Sequence, residues 1–294
     1  MAEALVRGQK AKPNEKEFLS LAATAVHPLV AAGALRPILA ALRESDPTRR
    51  EQAKAVLSAL GEGALNTLAE LIVVEDDEEM RKVAATLLRS LPNAGLQLLV
   101  PQLRPPASGE TSRRIVSVLD LLTPHLGPDF FFLLAHPDVL VRAEFAGVLS
   151  RLPRGAAVRF LERALGETQP ERLVGALECI RGLQATELLD AVVRLLRRVA
   201  QPDVLKASCL CLGYLKDERG VRTLVEVLQR RPRFLGLVKG LPETVRAVAA
   251  RALGDLPFPG ADQGLRAALR DSSLTVRSSA RVALARLQQG REPR

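Results

Sequence analysis

The stretch LPETVRAVAARALGDL, residues 241–256, decides the fold. Val245, Ala249, Leu253 and Leu256 recur at three- and four-residue steps, which sets them along one stripe of an amphipathic helix. Pro242 stands at its start, where a missing backbone donor does no harm. Leu253 is expected inside the stripe and Ala250 on the opposite, exposed side. The pattern returns in SSLTVRSSARVALARL at 272–287 and in HPDVLVRAEFAGVLSRL at 136–152, where Asp138 can accept free helix N–H groups.

The same pattern runs through most of the chain. Aligned on Arg50, Arg81, Ser112, Arg142, Leu173, Leu205, Arg246 and Arg277, the residues ten further on are Leu60, Leu91, Leu122, Leu152, Leu183, Leu215, Leu256 and Leu287. Seven after the same anchors stand Leu57, Leu88, Leu119, Leu149, Ile180, Leu212, Leu253 and Leu284. The anchors are 30 to 32 residues apart except between Leu205 and Arg246, where the gap is 41. A fixed period of this length marks an array in which each unit buries its apolar face only against its neighbours.

A second apolar segment precedes each of these helices: ALRPILAAL at 34–42, ALNTLAELIVV at 64–74, AGLQLLVPQL at 94–103, DFFFLLA at 129–135, AAVRFLERAL at 156–165, TELLDAVVRLLRRV at 186–199, GVRTLVEVLQ at 220–229 and ADQGLRAAL at 261–269. Short Gly- and Pro-rich linkers such as Leu60-Gly61-Glu62-Gly63 separate the pairs. The fold expected is therefore all-α, an α-solenoid of about eight helix hairpins over residues 34–287. Residues 1–33 fit the repeat poorly, and FLSLAATAV at 18–26 is expected to cap the first unit. Residues 288–294 form a polar tail.

Composition narrows the function classes. Aromatic residues are 3% of the chain, with no Trp and one Tyr, so the core must be aliphatic. The first residues lack the apolar run of a signal peptide, and no segment approaches the roughly 20 apolar residues of a membrane span, which points to a cytoplasmic protein. Cys179, Cys209 and Cys211 are too few for a disulfide framework and have no nearby His to complete a metal site. The formal charge of +9 favours an acidic partner.

The Leu-rich helix, the Asp or Pro turn, Val-Arg, small residues and a closing Leu-Gly resemble HEAT repeats, especially the short phycobilisome-lyase type. The resemblance implies that the second helix of each pair lines a concave face. It also implies that Arg50, Arg81, Arg142, Arg246 and Arg277 pair with turn acids such as Asp46, Asp77, Asp138 and Asp271. Units anchored at Ser112, Leu173 and Leu205 depart from the motif at that position.

The eight second helices carry 18 Lys or Arg against 12 Asp or Glu, so the face they line is the more basic one. Lys54, Lys82, Arg89, Arg113, Arg151, Arg181, Lys206, Arg251, Arg281 and Arg286 are its candidate binding residues. The long gap holds an insertion at 230–240, RRPRFLGLVKG, in which Arg231, Arg233 and Lys239 flank an apolar centre. Long connections in a short-loop array are disproportionately functional, and the segment can equally form a short extra helix packed on the edge of the array.

Catalytic signatures are missing from the sequence. His27, His125 and His136 are followed by Pro, Leu and Pro, so none belongs to the His-Glu pairs of HEAT-like deoxyhypusine hydroxylases. There is no P-loop, dinucleotide fingerprint or nucleophile elbow. The expectation is a non-enzymatic scaffold, without cofactor or metal, that binds an acidic protein on its concave face. A lyase-like accessory role and sequence-independent nucleic-acid binding are the alternatives.

Overall fold

A computed structural model describes residues 36–43, 46–60, 62–90, 95–104, 107–230 and 240–289 of the 294. The expected N-terminal cap, most of the 230–240 insertion and the end of the tail lie outside the described residues. Within them the chain is all-α, a helical-repeat solenoid with no strand.

The helices group in two compact units. The first, Met1–His125 with Asp138–Arg151, contains α1 (Arg36–Arg43), α2 (Pro47–Leu60), α3 (Glu62–Val74), α4 (Glu78–Ser90), α5 (Gly95–Leu99), α6 (Gly109–Ser117), α7 (Leu119–Leu122) and α8 (Val139–Arg151). The second, Leu126–Pro137 with Leu152–Arg294, contains a 3-10 helix (Pro128–Ala135), then α9 (Arg154–Ala164), α10 (Pro170–Gly182), α11 (Leu189–Arg198), α12 (Pro202–Leu215), α13 (Glu218–Gln229), α14 (Glu243–Leu253), α15 (Ala261–Ala268) and α16 (Leu274–Gln289).

Consecutive elements pair as the sequence leads one to expect: α1 with α2, α3 with α4, α9 with α10, α11 with α12, α13 with α14 and α15 with α16. The fourth hairpin is divided. Its first segment, Pro128–Ala135, packs on α9 and α10, while its second, α8, packs on α6 and α7. Phe130, Phe131, Leu133 and Leu134 are all buried in that short segment, and Phe131 meets Phe160 of α9 edge to face with ring centroids 5.1 Å apart. Such a concentration of aromatic area is enough to fix which neighbour the segment joins.

The column seven residues after the anchors is buried throughout, from Leu57 to Leu284. Helix starts are equally regular. Asp46, Asp77, Ser108 and Asp138 each accept a backbone N–H from two or three residues further on, at 2.8–3.0 Å. All four stand four residues before an anchor, so Ser108 secures the register of the unit anchored at Ser112, which lacks the arginine.

One expectation fails at Ala250, which is fully buried. The helix that carries it, α14, is clasped by α12, α16 and α13, so eight of its eleven residues are buried and an opposite, wet side hardly exists.

Small residues let the second helices of this unit approach closely. A Cβ on Gly213 of α12 would stand 2.8 Å from the Ala252 carbonyl oxygen of α14, and one on Gly254 would stand 2.7 Å from Ala283 Cβ of α16. Two effects compete at Gly213. Helix propensity favours alanine by about 1 kcal/mol, whereas forcing backbone apart typically costs about 1–3 kcal/mol. The contact is with backbone, so the cost wins. Gly213→Ala is expected to lower the denaturation midpoint in urea, and a raised midpoint would contradict the close approach.

Candidate interaction surface

Three of the anchor arginines, Arg81, Arg246 and Arg277, hold the turns. Arg81 donates to the carbonyls of Glu75 and Asp76, both at 2.8 Å, and Arg277 to those of Asp271 and Ser272 at 2.8 and 2.9 Å. Arg246 goes further. Buried to 2% exposure, it pairs with Asp271 of the following repeat through Nη2–Oδ1 at 2.9 Å and Nε–Oδ2 at 3.3 Å.

Other arginines, which the sequence did not single out, clasp neighbouring repeats by their helix-end carbonyls. Arg114 donates to the Val73 carbonyl at 3.0 Å, Arg198 to that of Leu165 at 2.6 Å, and Arg154 to those of Leu183 and Gln184 at 2.8 and 3.1 Å. Carbonyls at helix ends lack intrahelical partners, so a guanidinium reaching them joins two repeats at little cost. No local motif announces these contacts, because donor and acceptor lie 29 to 41 residues apart.

Arg154 also grips Glu187 with two bonds, 2.9 and 2.8 Å. Chiefly through that guanidinium, and next through a backbone bond, the Glu187 carboxyl is drawn down to about 2 from 4.5. A carboxyl depressed on folding contributes stability that is present above its unfolded value and is lost as pH falls through the folded one, here from about 4.5 to about 2. Both side chains are 47% exposed, so solvent screens the pair and its effect on stability is small. The expected readout is an NMR titration in which Arg154→Gln returns Glu187 toward 4.5. An unchanged titration would contradict the pairing.

The candidate binding residues divide into two sets. Lys54 is paired with Glu51, Lys82 with Glu78 and Glu79, Lys206 with Asp203, and Arg286 with Asp255. Arg151 is held most firmly, by two bonds to Asp120, one to the Ser117 carbonyl and an ion pair with Glu144. These cations already serve intramolecular contacts. Arg89, Arg113, Arg251 and Arg281 are exposed and have no carboxylate partner among the described residues. Arg181 lies over the ring of Tyr214, 5.9 Å from its centroid. Arg231, Arg233 and Lys239 lie outside the described residues.

The repeat register places Arg251 in the exposed set, whereas Arg281, at position four, shares its register with buried Leu177, Cys209 and Ala250 and is exposed on the last described helix. Positions five and nine after the anchors fall on the outer stripe of the second helices. In the second unit, position five is occupied by Glu178, Leu210, Arg251 and Val282, all exposed, and Tyr214 stands at position nine of α12. Leu210, Tyr214 and Val282 are 40%, 50% and 57% exposed, although every described Phe except Phe132 and Phe258 is buried. The sequence drew attention to Tyr214 as the only tyrosine. Its position in the repeat is the signal that would have placed it at the surface.

Two hollows flank the helices. In the second unit, one of about 750 Å³ lies between α13 and α15, lined by Val221, Val225, Gly260, Gly264 and flanking Arg219 and Arg222. In the first unit, a smaller one of about 380 Å³ is lined by Asp76, Glu78, Arg81, Glu110, Arg113, Arg114, Ser117 and Glu144, so its charges are mixed. Burial pushes the thiols of Cys179, Cys209 and Cys211 up to about 12, which leaves them protonated and unreactive. Among the described residues no group of three His, Cys, Asp or Glu is placed to hold a metal ion, and no helix is long and apolar enough to cross a membrane.

No family model matches the sequence, and a search of curated proteins finds no relative. Among solved structures, the chain is similar to human deoxyhypusine hydroxylase in complex with glycerol, at 20% identity and a TM-score of 0.38 over 90% of this chain and 99% of that one. It is similar to Kap121p at 12% identity and a TM-score of 0.48, covering 97% of this chain but 37% of Kap121p. A designed armadillo repeat protein matches at 16% identity and a TM-score of 0.35, over 86% of this chain and 99% of that one. The assignment to helical repeats rests on the helices of the chain itself.

Proposed function

We propose that this chain is a non-enzymatic scaffold whose second helices present a basic, partly apolar surface to an acidic protein partner. The observation that carries the reading is the coexistence on one helix layer of exposed Arg251 and Arg281 and half-buried Arg181, none with a carboxylate partner among the described residues, with exposed Leu210, Tyr214 and Val282. Interfaces favour this mixture of arginine, tyrosine and apolar side chains over lysine-rich solvated faces. The second helices approach closely at Gly213–Ala252 and Gly254–Ala283, whereas the first helices α13 and α15 line a hollow. That difference favours a concave second-helix face, the surface on which helical repeats accommodate extended partners.

The period near 31 residues supports a place among short HEAT-like repeats of the phycobilisome-lyase type, and repeat type speaks for architecture rather than activity. The test is affinity capture by the tagged full chain from its source cells with quantitative mass spectrometry. Arg251→Glu with Arg281→Glu is expected to lower recovery of the main partner. Arg222→Glu on the first-helix side is the control. Equal loss in the control, with all variants folded, would overturn the assignment of the binding face.

A further inference from the structure

Resting on that reading, we infer that Tyr214, with Arg181 on its ring and Leu210 one turn earlier, is the anchoring site for a short acidic peptide segment that carries an apolar side chain. Leu210 and Tyr214 are four residues apart on α12 and therefore neighbours on one face of the helix. Both are exposed while Leu212 and Leu215 beside them are buried, so the pair adds nothing to the core it sits above. A half-exposed tyrosine offers an amphipathic ring, apolar on its faces and polar at its hydroxyl, of the kind enriched among interface anchors.

Arg181 reaches across from α10 to the ring at 5.9 Å, an arrangement that holds both planar groups in place before a ligand arrives. Long side chains fixed in advance lose less freedom on binding, which raises affinity. On the other side, α12 packs on α14, and Arg251 stands at the repeat position equivalent to Leu210. The apolar pair thus has an arginine on each neighbouring helix. Neither arginine has a carboxylate partner among the described residues, whereas Arg172, Lys206, Arg246 and Arg286 of the same layer are all paired.

The charge pattern chooses the occupant. Two unmatched guanidinium groups about the apolar pair call for carboxylates flanking an apolar residue, the composition of an acidic amphipathic segment. A nucleic-acid backbone fits less well. A stable phosphate track needs many more free cations than the described part of this surface offers.

The experiment uses the folded full chain to select from a displayed library of random short peptides, followed by affinity measurement on Tyr214→Ala, Tyr214→Phe, Arg181→Gln and wild type, with oligothymidylate as a competitor. Selected peptides should combine Asp or Glu with Leu, Phe or a similar side chain. Tyr214→Ala and Arg181→Gln should each weaken them by about tenfold or more, as truncation of a central anchor does. Tyr214→Phe, which keeps the ring, should retain most of the affinity. Both positions are outside the core, so the variants should match the wild type by circular dichroism.

Acidic peptides that bind with affinity unaffected by either truncation would overturn this site while leaving the scaffold reading in place. Selection of basic peptides, or displacement by oligothymidylate at matched charge, would overturn the acidic partner and the scaffold reading with it. Failure to select any peptide would overturn the anchoring site, and the capture experiment on the full chain would then decide the scaffold reading by itself.

Discussion

Asp271→Ala is expected to destabilise the protein by about 3–5 kcal/mol, the usual cost of leaving one member of a buried ion pair without the other. The side chains of Arg246 and Asp271 are 3% and 0% exposed, so water cannot replace the lost carboxylate. Removing it leaves the guanidinium with the Leu241 carbonyl as its remaining partner. It also removes the acceptor for the Ser273 backbone N–H, 2.9 Å away at the start of α16. Replacing both members by apolar residues of similar volume should cost much less, because no charge is then stranded. Urea denaturation of the two variants decides the matter. A loss below about 1 kcal/mol for Asp271→Ala would place the pair in the class of solvated surface bridges.

Leu253→Ala follows, with an expected loss of about 2–5 kcal/mol from burial and residual cavity together. Leu253 is fully buried on α14, between α12 and α16, where backbone and small side chains are already in close contact and the site cannot collapse easily. Arg251→Ser on the same helix is the suitable control, since Arg251 is exposed and should move stability by about 0.5 kcal/mol or less. Each repeat touches only its neighbours, so amide exchange should rise first across α12 to α16 and later in α3 to α6. Simultaneous loosening of both regions would contradict that local coupling.

The fold was legible because helical periodicity and a fixed repeat reinforce each other. Leu57, Leu88, Leu119 and their successors could be set inside from spacing alone, and Asp138 could be set at a helix start from its chemistry. What spacing conceals is the far side of a helix. Ala250 reads as surface on one amphipathic helix, yet neighbours on three sides bury it. Pairwise contacts are hidden for the same reason. The carboxylate that neutralises Arg246 belongs to the next repeat, and the one that engages Arg151 belongs to the repeat before it.

The candidate surface was legible in part. Counting charges by helix found the more basic layer but could not separate Arg151, whose bonds to Asp120 and Ser117 hold two repeats together, from Arg251, which faces solvent. That separation comes from geometry and changes which substitutions are informative. Reversing Arg151 would test stability, whereas reversing Arg251 or Arg281 tests binding.

Site-specific photo-cross-linking shows directly which helix layer meets the partner. A benzophenone side chain is placed in turn at Arg251, Arg281 and Leu210 on the second helices and at Arg222 and Arg266 on the first helices, in the full chain within its source cells. One partner is expected to be captured from the three second-helix positions and not from the two first-helix positions. Capture of that partner from Arg222 and Arg266 alone would contradict that expectation and assign recognition to the first-helix side.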